Sequence, residues 1–167
     1  AARPNPFATP SSLPYQAPRF DIIKDGDYQP AFDEGMRQQM AEITACAVKP
    51  LVLSVDITIV AMERSGRMLD RVGNTFLCVV QANTNPTLDK VQTVEAPRLA
   101  AHQDAIYLNA KLFARVKMLY DRRAALNLDG ERLQLLTLYY RQFVHAGANL
   151  SPAGKAQLKT INKQDAA

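Results

Sequence analysis

The chain has 167 residues, 47% of them hydrophobic and 22% charged, with a net charge of +4 from 20 basic and 16 acidic side chains. That length suits one domain with its own core, and the small, dispersed cationic excess excludes the concentrated basic stripe of a nucleic-acid-binding protein. No run approaches the ~20 apolar residues that a membrane span needs, so the composition is that of an ordinary soluble globular protein with no membrane partner and no nucleic-acid partner.

Prolines at positions 4, 6, 10, 14 and 18 predict an extended arm over residues 1–20, because each fixes its own backbone and removes a donor. Phe7, Leu13, Tyr15 and Phe20 are spaced through it, which predicts an arm that packs against something, since disordered tails are poor in aromatics. The start, Ala1-Ala2, carries no charged leader followed by an apolar run, so no signal peptide is expected in the chain.

Residues 21–167 read as helical. Asp27 can cap a first helix with Pro30 in its first turn, and Phe32, Met36, Met40, Ile43 and Ala47 recur at helical spacing until Pro50 stops it. A second helix is predicted from Asp56 to Val80, with Ile59, Met62, Leu69, Val72, Phe76 and Val79 inward. Gly66 and Gly73 lie seven apart on nearly one face of it, which predicts close approach of a neighbouring helix. Leu51 to Val55 is the only stretch rich enough in β-branched residues to favour a strand.

Asn85-Pro86 opens a third helix that is bent at Pro97 and reaches Ile106. Asn109 caps a fourth, with Leu112, Phe113, Val116, Leu119 and Tyr120 inward. After the break at Asn127-Leu-Asp-Gly130, a fifth carries Leu133, Leu136, Tyr140, Phe143 and Val144 and ends at Gly147. Ser151-Pro152 starts a sixth, marked by Leu158 and Ile161, with no stop signal before Asp165. The expected fold is all-α: about six helices after a Pro-rich extended arm, joined mostly by short loops.

Catalytic patterns are absent from this sequence. His102 and His145 are its two histidines, and neither has another four residues away, so a helical zinc-ligand pair cannot form. His102 reads as a structural or surface residue, and His145 as a residue near a helix C-terminus. Cys46 and Cys78 make neither a zinc pattern nor a disulfide framework, and both read as small core hydrophobes. Ser65 lacks the glycine frame of a hydrolase elbow, and no two glycines fall in a phosphate-binding pattern. The predicted catalytic and metal sets are therefore both empty. The densest basic stretch, Lys111 to Arg123, reads first as the solvated face of one amphipathic helix.

Four stretches carry a family resemblance: Asn5-Pro-Phe7, Tyr28-Gln-Pro-Ala-Phe-Asp-Glu-Gly-Met36, Thr58-Ile-Val-Ala-Met-Glu-Arg-Ser-Gly-Arg-Met-Leu-Asp-Arg-Val72 and Ile106-Tyr-Leu-Asn-Ala-Lys-Leu-Phe-Ala-Arg-Val116. Tyr15-Gln-Ala-Pro-Arg-Phe-Asp21, Phe143-Val-His-Ala-Gly-Ala-Asn-Leu150 and Leu158-Lys-Thr-Ile-Asn162 extend it along essentially the whole chain. In order and spacing these stretches resemble the N-terminal region of bacterial peptidyl-dipeptidases, the dipeptidyl carboxypeptidases of the thimet-oligopeptidase family of zinc metallopeptidases. One stretch departs: Leu53-Ser-Val-Asp-Ile-Thr58 has Val55 where the family has Phe and Ile57 where it has Asn, which weakens the expected polar cap where the first two helices join.

The resemblance implies a parent enzyme with two helical lobes around a channel, releasing dipeptides from the C-termini of short peptides with zinc held by an H-E-x-x-H helix. This sequence has no such helix, so the resemblance implies a lobe segment that is inactive alone and holds no cofactor. Its expected partners are the catalytic part of the same protein and, through it, peptide substrates. Lys111, Arg115 and Lys117 are the candidate substrate-channel face, since cations lining a cleft concentrate carboxylates. An independent helical interaction module is the alternative. The compartment, cytoplasmic or periplasmic, stays open.

Overall fold

The computed structural model describes residues 3–48 and 53–166, and among them there are helices and turns but no strand. The all-α expectation holds. The helices are α1 (Tyr28–Val48), α2 (Ala61–Glu63), α3 (Arg67–Asn83), α4 (Pro86–Tyr107), α5 (Ala110–Asp121), α6 (Gly130–His145) and α7 (Pro152–Asp165), with a π-helical turn, Asp56–Val60, leading straight into α2. Pro50, Leu51 and Val52 lie outside the described residues. Of the stretch favoured for a strand, Leu53 and Ser54 have no regular structure and Val55 opens the helical run.

Local chemistry sets most boundaries. The Asn85 side chain accepts hydrogen bonds from Thr87 and Leu88 amides with Pro86 at the first position, Asn109 does the same for Lys111 and Leu112, and Ser151 accepts from Gly154. Each satisfies amides that the helix itself leaves without partners. Asp129 caps α6 through the Arg132 amide, and Gly147, at φ +88°, ends it. At the departing stretch, Ser54 supplies the cap: its Oγ accepts from the Ile57 amide at 3.1 Å.

The second predicted helix is corrected. It breaks at Ser65-Gly66, where Gly66 takes φ +76°, a left-handed conformation that glycine adopts without steric cost. Its amide donates to Glu42 Oε2 at 2.8 Å. Gly73 is not a packing glycine, because a Cβ there would meet nothing within 4 Å. The close approach lies at Gly35 instead, where a Cβ would come within 3.0 Å of the Leu69 backbone, so α1 and α3 nearly touch.

Two apolar cores share α1. One joins Phe7, Tyr28, Phe32, Val72, Phe76 and Leu88; the other joins Ile43, Ile59, Leu112, Val116, Leu136 and Phe143. The arm enters the first through Phe7 alone, while Leu13, Tyr15 and Phe20 are exposed. Its start is tied down by Arg3 to Asp27 at 2.6 Å and by Asn5 Nδ2 to the Asp27 carbonyl at 2.8 Å. Cys46 is buried as expected, but Cys78 is exposed, because it faces away from the Leu69–Val72–Phe76 stripe. Leu133 and Ile161 are likewise exposed. Leu133 sits in the first turn of α6, and on α7 it is Asn162, not Ile161, that meets α4.

Candidate functional site

α5 is amphipathic, with Leu112, Phe113, Val116 and Leu119 buried, and its remaining positions hold the candidate cations. Lys111 is exposed and Arg115 half-buried, and their four-residue spacing stacks them one turn apart. Lys117 lies on another side of the helix, since two further residues turn the helix by about 200°. Its Nζ is 2.6 Å from Asp121 Oδ2, and that hydrogen bond and charge raise its pKa. Arg123 stacks over the Tyr120 ring at 4.1 Å and donates to the Tyr120 carbonyl at 2.8 Å. By helical phase Lys111 and Arg115 share one side of α5 and Lys117 lies on another, while Arg123 follows the helix.

His102 is buried on the inner face of α4. Its Nε2 is 2.7 Å from Gln39 Oε1, an amide oxygen that can only accept, so Nε2–H is the donor in this pair; burial lowers the pKa of the ring. The Gln39 side chain in turn lies where a Gly66 Cβ would go. Together with Glu42 on the Gly66 amide, this latches the Ser65-Gly66 turn to α1 and α4. Asp104, two residues along, accepts instead from Asn162 Nδ2 at 2.7 Å. His145 closes the last turn of α6. Among the described residues no three His, Cys, Asp or Glu side chains come together to hold a metal ion, so the described donors do not fit zinc. No described helix is long and apolar enough to cross a membrane.

The sequence reading missed Glu95. It is 1% exposed, with Oε1 bound to Arg98 Nη1 at 2.6 Å and the Gln29 side chain beside the carboxylate. Arg98 also pairs with Asp33 on α1. The signal was present: Leu88, Val91, Glu95, His102 and Ile106 are the buried face of α4, so Glu95 stands in apolar register. Burial raises its pKa against the opposing pull of Arg98. Because the folded value lies above the unfolded one, the folded state binds more protons between them, and stability falls as pH climbs through that window. Glu95→Gln therefore gains on the wild type as pH is raised through and above the ordinary carboxylate range, measured by urea unfolding at each pH. A constant difference between the two would show that Glu95 does not contribute this pH dependence.

No family model matches the chain. It is 44% identical over 162 residues, 97% of its length, to the dipeptidyl carboxypeptidase of Escherichia coli (strain K12) and, over the same share, to that of Salmonella typhimurium. The chain spans 24% of the length of each of these relatives. The resemblance read from the sequence is borne out: along almost all of its length this chain is similar to about a quarter of a dipeptidyl carboxypeptidase.

Proposed function

We propose that the chain is the N-terminal helical lobe segment of a zinc metallopeptidase that releases dipeptides from the C-termini of short peptides, and that it is non-catalytic on its own. The observation that carries this is the 44% identity along 97% of the chain to enzymes of which it spans only 24%. The two histidines support it, one committed to Gln39 and the other in the last turn of α6. In this reading the zinc and the residues that activate water belong to the rest of the parent. This segment walls the channel, and Lys111 and Arg115, with Lys117 further round the helix, supply positive potential along it.

Two preparations test this: the 167-residue chain and the full product of its gene, each assayed for release of C-terminal dipeptides and for bound zinc. Dipeptide release and zinc in the full product alone is the expected result. Stoichiometric zinc or activity in the chain itself would overturn the reading, and a stop codon directly after Ala167 would favour the independent interaction module. In the same assay, Arg115→Glu with Lys117→Glu in the full product should raise KM severalfold with kcat little changed; an unchanged KM would dismiss the channel face.

A further inference from the structure

α7 lies against the C-terminal part of α4 and runs antiparallel to it. Lys155, near its start, reaches the Leu108 carbonyl at 3.5 Å, and Asn162, two turns later, reaches Asp104 at 2.7 Å. Lys155, Leu158, Asn162 and Ala166 are half-buried while the intervening residues are exposed. That is a stripe at helical spacing along α7, with Ala166 at its C-cap. Both helices rise 1.5 Å per residue, so, counted from the Asn162–Asp104 contact, each residue added to α7 moves the contact one residue back along α4; at the other contact the long Lys155 side chain bridges the remaining offset to Leu108.

The face of α4 that comes next is prepared for such a contact. Thr93, Pro97 and Ala100 continue the stripe that holds Asp104, at steps of four, three and four. Thr93 is exposed and Pro97 and Ala100 only half-buried. All three are small enough for a second helix to approach closely. Pro97 lies inside the helix and has no amide hydrogen, so the Thr93 carbonyl loses its helical donor on this face. The Thr93 hydroxyl is already committed to the Asp89 carbonyl at 2.9 Å. The relatives extend over about four times the length that the chain spans, which leaves ample polypeptide to fill the site.

We propose that in the whole protein the polypeptide beyond Ala167 prolongs α7 as a helix antiparallel to α4, seated on Thr93, Pro97 and Ala100, with a hydrogen-bond donor facing the Thr93 carbonyl. This rests on the reading of the chain as a segment of a longer peptidase. It adds which face of the segment the adjoining chain occupies and in which direction it leaves.

The test is disulfide scanning in the full gene product, with Cys78→Ser to remove the exposed native thiol and Thr93→Cys as the fixed partner. Single cysteines are placed in turn from about two to about ten residues past Ala167 and the protein is mildly oxidised. Matching rises put the strongest cross-link about six residues past Ala167, with a second three or four residues from it and none between, since bridged Cα atoms must lie within about 7 Å. Cross-links at every position, or at none, would overturn the proposal. Dipeptide release by the same preparations reports separately on the parent activity, so the helix can fail while the peptidase reading stands, and the reverse.

Discussion

Phe143→Ala should lower the melting temperature of the chain by about 10 °C. Phe143 is 0% exposed, makes an edge contact with Tyr107 at 5.1 Å and a stacked one with Phe113 at 5.8 Å, and ties α6 to the end of α4 and to α5. Truncating a fully buried phenylalanine costs about 3–5 kcal/mol, part lost transfer and part cavity. At this chain length each kcal/mol moves the transition by about 2–4 °C. Thermal unfolding followed by circular dichroism reads the shift directly. A change below about 3 °C would mean that this second core does not limit stability.

Gly66→Ala carries the other large effect, and Gly73→Ala is its control. At Gly66 a side chain must accept φ +76° and its Cβ would fall 2.3 Å from Gln39 Nε2 and 2.6 Å from Gln39 Cδ. The left-handed backbone costs about 1–2 kcal/mol, and expelling Gln39 gives up its bond to His102, worth about 1 kcal/mol more. A loss of about 2–3 kcal/mol is therefore expected in urea unfolding. Gly73 lies in the interior of α3 with open space around it, so alanine there should add about 0.5–1 kcal/mol. Two glycines that look alike in a helical pattern should thus move stability in opposite directions. Equal effects would refute the broken-helix geometry at Ser65-Gly66.

That contrast marks what the sequence carried and what it did not. The caps at Asn85, Asn109 and Ser151 and the stop at Gly147 were legible because each is decided within four residues of chain. The break at Gly66 was not, because it is held by Gln39 and Glu42, more than twenty residues upstream, and by His102 behind Gln39. Cys78 was misplaced for another reason: apolar surroundings in sequence were read as burial, whereas its phase on α3 opposes Leu69. Glu95 was passed over because a carboxylate in apolar register is rare and only its partner Arg98, itself held by Asp33, makes it tolerable there. For the candidate site, the charges on α5 were visible as a cluster. Their division into a stacked pair and outliers follows from helical phase, and from the partner that Lys117 finds in Asp121.

The helix common to both cores has a mechanical meaning. α1 is 21 residues long, a strut of about 31 Å, with Phe32 bedded in one core and Ile43 in the other. Tilting such a strut by about 4° at one end carries the other about 2 Å, more than close-packed side chains absorb without repacking. Neither half can swing without dragging its neighbour. Any opening and closing that this segment takes part in must then pivot at its borders, with the helices between them moving as a single solid piece.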